Sequence, residues 1–375
     1  LLMADGKGGA LALATRASPH DDGGTLASPR PEDEAGTTAG GLRTPYLLFI
    51  GDCTEPGYAK TAFGLRDWAG EKCLGEYALA GATVSTGLAR LTPAQAREGG
   101  ARSMVIGIAN SGGRIAPEWI PALEEALAAG LDLISGMHAK LSDLPGLRAA
   151  AEKYGQRLVD VRTPPPDLPV ATGRKRGGKR ILTVGTDCAL GKKYTALAIA
   201  QALESRGVRS DFRATGQTGI LIAGAGIALD SVVADFAAGA AELLSPDNAA
   251  DHWDVIEGQG SLYHPAYAGV SMALLHGSQP DAFVICHDPL RTHVLGHPDF
   301  PLPDIEDLAE LTIRLGRRTN PAIRCAGVSL NTSALGSEEA LSLLTGETAR
   351  LGMPVADPMR GGDLFDQLVE SCLAE

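Results

Sequence analysis

The chain has 375 residues, a formal net charge of −12, 44% apolar residues and only 5% aromatic ones. That length allows two or three domains, and cores of Ala, Leu, Val and Ile suit parallel sheets covered by helices. The acidic balance argues against sequence-independent nucleic-acid binding, which needs a basic surface, and no apolar run is long enough to span a bilayer.

Residues 1–43 are rich in Gly, Ala, Pro, Ser and Thr and lack a periodic pattern. They read as a disordered leader, or as upstream sequence joined by a misplaced start. LALA is too short for the apolar part of a signal peptide, and Asp21, Asp22, Glu32, Asp33 and Glu34 argue against a transit peptide. The six cysteines form no C-x-x-C pair and are dispersed, which suits reduced thiols in the cytoplasm.

A first unit spans 44–162. Tyr46–Ile50, Ser103–Ala109, Leu131–Ile134 and Arg157–Val161 read as buried strands, and 117–129 and 147–154 as helices. Alternating strands and helices imply a parallel, doubly wound sheet, Rossmann- or flavodoxin-like. Such sheets bind ligands beyond the carboxyl ends of their strands. Asp52, Asn110 and His138 stand at those ends, and Lys60 just after the first β–α turn. There is no G-x-G-x-x-G after the first strand, so dinucleotide binding is not indicated.

Residues 163–178 form a linker. Three consecutive prolines, Pro164 to Pro166, break helix or central strand. The basic run Arg174 to Arg180 reads as a solvated connector, with a nucleic-acid patch as its minor reading.

The second unit, 179–375, opens on ILTVGTDCALGKKYTALAIAQALESRG. This reads as a strand (181–184), a polar loop (185–191) and a helix (192–206). Such a loop aims backbone N–H groups and the positive end of a helix at one spot, which binds phosphate. Gly185, Thr186, Asp187, Gly191, Lys192, Lys193 and Tyr194 are the candidate cofactor contacts. The match to G-x-x-x-x-G-K-[ST] is incomplete: Thr186 stands at the first glycine and Lys193 at the final hydroxyl residue. That hydroxyl ordinarily holds the magnesium of a nucleotide triphosphate. Its loss weakens an ATPase reading, and a second lysine favours plain polyanion binding. A lysine pair at a solvated helix start is the bland alternative.

Further strands are expected at 211–214, 253–256, 283–286 and 326–330, and helices near 229–244, 305–317, 337–351 and 363–373. Glu257 ends one strand before a glycine turn. It is a candidate to hold magnesium, orient water or act as a general base, or is a turn acid without a role. Gln217, Thr218 and Gln259 supply donors for a polar wall. Asn331 follows the last of these strands, where its amide can read the edge of a purine. His287 and Arg291 follow another strand as candidate substrate contacts. The histidine spacings are irregular, so no metal site is expected.

With these motifs in place, the chain resembles the DgcN-type D-glutamate N-acetyltransferases, long filed as a bacterial family of unknown function. The matching stretches include GD-x₆-AKTAFGLRDW from Gly51, VIGIANSGG from Val105, SGMHAKL from Ser135, LTVGTDCALGKKYTALA, DFRATGQTGI, DHWDVIEGQGSLYHPAYAGVS, CHDPLRT and NPAIRCAGVSLNTSAL. They cover nearly all of residues 44–360. The second unit also resembles the dethiobiotin-synthetase branch of phosphate-loop proteins, through GTD-x-x-x-GK and a strand ending near E-G-x-G. The resemblance implies acetyl transfer from acetyl-CoA to the amino group of D-glutamate in D-amino-acid catabolism, beside a racemase or epimerase acting on N-acetyl-D-glutamate. Magnesium is possible and not expected, since coenzyme A has no transferable γ-phosphate.

The reaction needs a base for the amine, for which Asp52 and Glu257 are the candidates. It also needs donors for the oxyanion and cations for two carboxylates, one of which Lys60 can supply. A helix-capping acid and a solvated helix lysine are the plain readings of Asp52 and Lys60. The expected partners are small molecules and further copies of the chain. The rivals are an ATP-dependent ligase or kinase acting on a small carboxylic acid, and a nucleotide sensor without turnover. In the expected layout the first unit's strand ends face the phosphate loop across a hinge at Pro164–Pro169.

Overall fold

The computed structural model describes residues 41–110 and 112–374. The expected leader therefore lies, except for 41–43, outside the described residues. The first domain runs β1 (Tyr46–Gly51), α1 (Lys60–Trp68), β2 (Cys73–Ala78), α2 (Pro93–Glu98), β3 (Ser103–Ile106), α3 (Ile120–Ala128), β4 (Asp132–Ser135), α4 (Pro145–Tyr154) and β5 (Leu158–Asp160). Its five strands are all parallel, in the order β2-β1-β3-β4-β5. This is the flavodoxin-like order, whose switch point lies between β1 and β3. Every residue of β1, YLLFIG, is buried, as a strand covered on both faces must be.

The second domain runs β6 (Lys179–Gly185), α5 (Lys192–Ser205), β7 (Ser210–Arg213), α6 (Gln217–Ala223), α7 (Ala234–Leu244), β8 (Trp253–Ile256), α8 (Ala268–Ser278), β9 (Ala282–His287), β10 (His293–Val294), β11 (His297–Pro301), α9 (Ile305–Gly316), β12 (Arg324–Leu330), α10 (Ser337–Leu351), β13 (Val355–Ala356) and α11 (Asp363–Leu373). Its main sheet is also all parallel, ordered β13-β12-β9-β6-β8-β7. The hairpin β10–β11 is antiparallel and stands apart from it. Two parallel α/β domains are the fold class the sequence implies.

Two expected helices start later than their periodicity suggests. At 117–129 the chain first makes a 3-10 turn, Pro117–Trp119, and α3 begins at Ile120, with Pro121 in its first turn where a missing N–H costs nothing. At 229–244 a 3-10 turn ends at Ser231, and extended Val232 and Val233 delay α7 to Ala234.

The linker has no helix or strand, yet it is not a free hinge. Arg180 is buried and donates to Ser245 Oγ at 2.6 Å and to the carbonyls of Gly177 and Pro246 at 3.0 and 2.8 Å. Arg176 donates to Ser245 O at 2.7 Å and Gly277 O at 2.8 Å. The basic run, read as solvated, thus includes two guanidiniums that pin the linker onto the ends of α7 and α8. Gly239 on α7 lets Pro169 lie against the helix, since a Cβ there would meet Pro169 O at 1.8 Å.

The domains also share a core. Leu197, Ala214, Ile220, Leu221, Ile222 and Ala228 of the second domain belong to the apolar cluster built on the first domain's sheet. Lys72 Nζ donates to Ile222 O at 2.6 Å, and Arg162 pairs with Asp230. Between the domains α1 packs against α6.

Candidate phosphate-binding and catalytic site

The loop between β6 and α5 takes the shape that anion binding requires. Ala189 and Gly191 have φ of +54° and +110°, which turns successive N–H groups inward. Among the described residues, the N–H groups of Ala189, Leu190 and Gly191 have no hydrogen-bond partner, and the first N–H groups of α5 follow. Lys192 is buried, with Nζ 2.7 Å from Asp187 O, and its burial pushes its pKa down.

Asp187 works on the protein side of this loop. Its Oδ1 accepts from Cys188 N at 2.6 Å, and its Oδ2 from Arg291 Nη1 at 2.9 Å and Leu295 N at 2.8 Å. Arg291 also donates to Cys188 O at 2.8 Å. Asp187 and Arg291, expected on cofactor and substrate respectively, thus lock each other and tie the hairpin base to the loop. Thr186 Oγ1 and His287 Nδ1 are 2.9 Å apart, and burial lowers the His287 pKa. Asn331 N donates to His287 O at 2.9 Å, and its side-chain oxygen accepts from Ser333 N at 3.2 Å.

Among the described residues, two trios of side chains have metal-like spacing. In Asp187, Cys188 and His264, the His264 Nδ1 accepts N–H bonds from Ala266 and Tyr267, which puts the ring proton on Nε2, the nitrogen facing Asp187. In Asp211, His252 and Asp254, Arg213 already supplies the positive charge, at 2.9 Å from Asp211 and 2.7 Å from Asp254.

At the end of β8, buried Glu257 turns toward the domain contact. Its Oε2 accepts from Thr215 N at 2.9 Å and Gly216 N at 3.0 Å. A side chain on Gly219 would place Cβ 2.3 Å from that oxygen, so this helix position must be bare. Burial lifts the Glu257 pKa, and nearby Lys193 opposes the rise. Burial likewise pushes Lys193 down, and Glu257 opposes that fall. Gln259 Nε2 donates to Thr215 Oγ1 at 2.9 Å.

The first domain closes over this group through two glycines. A Cβ at Gly64 of α1 would lie 2.8 Å from Thr218 and 3.2 Å from Lys193 Nζ. A Cβ at Gly136, after β4, would lie 1.9 Å from Gln217 Oε1. Thr61 and Thr218 bring their hydroxyls to 3.3 Å. The structure therefore brings Lys193 and Thr218 against α1 and Gln217 against Gly136, with Glu257 and Gln259 on Thr215 and Gly216 just before α6. Lys60 is exposed at the first position of α1 and weakly opposes the charge on Lys193.

The other first-domain candidates are held by their own loops. Asp52 is exposed, with Oδ1 accepting from the Trp119 indole at 2.9 Å. Asn110 bonds the Arg114 backbone at both ends of its amide, at 2.8 and 2.9 Å. His138 is exposed and packs over Gly113. The Tyr194 ring meets that of Trp68 across the domain contact, tilted by 43° with centroids 5.8 Å apart. The sequence alone does not single out Thr61, Gly64 or Gly136, whereas the donor-rich stretch around Thr215 and Gly219 reads as a pocket wall. A glycine inside a helix, as in AFGLRD, was the available signal.

Together these groups offer an anion cradle, a cation where a magnesium-holding hydroxyl usually stands, and a carboxyl group with a raised pKa beside it. A family model described as the DUF1611 C-terminal P-loop domain matches residues 169–369, and one for the DUF1611 N-terminal Rossmann-like domain matches 75–164. A protein of Tritonibacter scottomollicae named D-glutamate N-acetyltransferase is 50% identical over 321 residues, covering 86% of this chain and 96% of that one. One of a Pseudoalteromonas species with the same name is 47% identical, covering 86% and 97%. The crystal structure of a DUF1611 family protein from Anabaena variabilis superposes with a TM-score of 0.79 at 33% identity, covering 88% of this chain and 99% of that one. With both of its domains matched and its fold shared along nearly the whole of a solved relative, the chain belongs to the DUF1611 family.

Proposed function

We propose that this protein moves an acetyl group from acetyl-CoA to the amino group of D-glutamate, as part of D-amino-acid catabolism in the cytoplasm. Its expected partners are its two small substrates, further copies of itself and a racemase or epimerase that takes the N-acetylated product. One observation supports this reading above the others. The phosphate loop has its N–H groups and Lys192 in place, and it carries Lys193, near Glu257, where a triphosphate enzyme needs a hydroxyl. That chemistry suits a donor whose phosphates are held and never transferred. The relatives bearing the N-acetyltransferase name match along 86% of the chain.

On this reading the donor's pyrophosphate lies on 186–192 and its thioester reaches toward Glu257 and α1. The substrate ammonium gives its proton to a carboxylate, and the free amine attacks the thioester carbonyl. The C–N bond forms, the C–S bond breaks, and the thiolate leaves and takes up a proton. Glu257 is our choice of base, because burial brings its pKa toward the range where a carboxylate accepts a proton near neutrality. Lys193 stabilises negative charge on the carbonyl oxygen. Asp52 is the alternative base, with Lys60 as an anchor for a substrate carboxylate.

The test is Lys192→Ala. It should raise the KM for acetyl-CoA about tenfold or more and leave that for D-glutamate nearly unchanged, since one charge-assisted contact to phosphate is worth ~1.5–3 kcal/mol. An unchanged acetyl-CoA constant refutes the cradle.

A further inference from the structure

Arg291 follows β9, 102 residues beyond Ala189, yet its guanidinium lies against the phosphate loop. Nη1 donates to Asp187 Oδ2 at 2.9 Å and to Cys188 O at 2.8 Å, and Nη2 reaches Ala189 O at 3.5 Å. Each of these carbonyls fixes a peptide unit, because in a trans peptide the C=O of one residue and the N–H of the next point in opposite directions. Lys192 Nζ holds Asp187 O at 2.7 Å, and the Cys188 N–H, on the other side of that unit, closes on Asp187 Oδ1 at 2.6 Å. The next two units are turned the other way. Arg291 draws the Cys188 and Ala189 carbonyls toward itself, so the Ala189 and Leu190 N–H groups point away from it, where no group takes them among the described residues.

This shape is held against its own cost. Ala189 carries a side chain at φ +54°, where glycine is at ease and other residues are not. A strained residue keeps such a conformation only where its surroundings fix it from several sides. Arg291 is in turn fixed by the hairpin β10–β11, because Asp187 Oδ2 also accepts from Leu295 N at 2.8 Å. The other charged or titratable groups at this junction are His264, with Nε2 3.8 Å from Asp187 Oδ1, and Asp288, with Oδ2 3.8 Å from Arg291 Nη2. The charge of Arg291 is thus already balanced by a fully buried carboxylate. Lys192, which has only a carbonyl as its hydrogen-bond partner among the described residues, is the cation left for a ligand.

We infer that Arg291 is a positioning residue for the phosphate loop: it sets the Ala189 and Leu190 N–H groups for the diphosphate of the acyl donor without touching the donor, and the hairpin holds it there through Asp187. This rests on the acetyl-CoA reading for the identity of the donor, and on the loop geometry alone for the diphosphate. The task needs one planar fork that meets a carboxylate and two carbonyls at once, which the single ammonium of a lysine cannot do.

Calorimetric titration of the full-length protein with inorganic pyrophosphate and with coenzyme A tests this. Arg291→Lys keeps a positive charge beside Asp187 and loses the fork. It should weaken both ligands about tenfold, the size of one charge-assisted hydrogen bond. The KM for acetyl-CoA should rise by a similar factor, with kcat and the KM for D-glutamate within about twofold of the parent, a split that general damage to the fold would not leave. Ala189→Gly adopts the same φ without strain, so adding it to Arg291→Lys should recover about threefold or more of the pyrophosphate affinity. A tenfold loss with no recovery means that Arg291 meets the anion itself and overturns the positioning role, as does unchanged pyrophosphate binding in Arg291→Lys. If Arg291→Lys does not fold, Asp187→Asn with Arg291→Gln removes the buried charges together and must show the same loss, and the same recovery with Ala189→Gly. A parent that binds neither ligand overturns the cradle and this role with it. A parent that binds pyrophosphate but neither binds coenzyme A nor forms amide from acetyl-CoA ends the acetyl-CoA reading and leaves the role of Arg291 standing.

Discussion

Lys193 and Glu257 should behave as one unit, and a double-mutant cycle measures how strongly. Glu257 is 5% exposed and keeps two backbone N–H bonds, of 2.9 and 3.0 Å, whatever happens to Lys193. Glu257→Gln keeps one carbonyl oxygen to accept from Thr215 and Gly216, and it removes the negative charge nearest Lys193. Lys193→Met leaves a buried carboxylate with only dipoles to hold it. Breaking a fully buried pair from one side costs about 3–5 kcal/mol, while replacing both charges is near neutral. Lys193 is only half-buried, which reduces each single loss to about 1–3 kcal/mol. The double variant should therefore be more stable than the two single losses predict, by about 1–2 kcal/mol. In a domain of this size that is roughly 2–8 °C in Tm. Urea unfolding and thermal melts of the four proteins give the coupling directly. Stabilities that add within about 0.5 kcal/mol would refute the pairing. Turnover separates the two roles of Glu257. If it is the base, kcat falls about a hundredfold in Glu257→Gln and does not recover in the double variant.

Two further substitutions test how the domains meet. Asp52→Asn should leave kcat within a few-fold of the parent, because its carboxylate is spent on the Trp119 indole and faces solvent; a loss near a hundredfold in steady-state turnover would move the base to Asp52. Gly136→Ala should destabilise by about 1–3 kcal/mol in urea, since its Cβ would lie 1.9 Å from Gln217 Oε1 and 2.7 Å from Gln217 Cβ. Gln217→Gly added to it should recover part of the loss, and no recovery would mean that the clash lies elsewhere.

Much of this architecture is visible in the residues themselves. YLLFIG, SMVI and AFVICH are apolar runs too continuous for a strand with a wet face, and they mark both parallel sheets. The loop ending GKK, between such a run and a helical period, marks the anion cradle. What escapes a linear reading depends on partners far along the chain. Strand β2, CLGEYA, looks unlike a strand because it carries Glu76, whose carboxylate is fully buried by Ser85, Thr86 and Arg90. Helix α6, QTGILIA, combines a glycine with β-branched residues of low helix propensity. It forms because α1 packs on one side of it and Glu257 needs the bare Gly219 on the other. Asp187 and Arg291 each look like a ligand contact, and only the fold shows that they hold each other across more than a hundred residues.

The most direct measurement is thiol release from acetyl-CoA by the purified full-length chain, with D- and L-amino acids offered in turn and the product weighed by mass spectrometry. Acetyl transfer predicts one free thiol per N-acetylated D-glutamate, a marked preference over L-glutamate, and a rate unaffected by chelation of magnesium. Magnesium-dependent phosphate release from ATP at enzymatic rates, with no thiol released in the presence of D-glutamate, would contradict it.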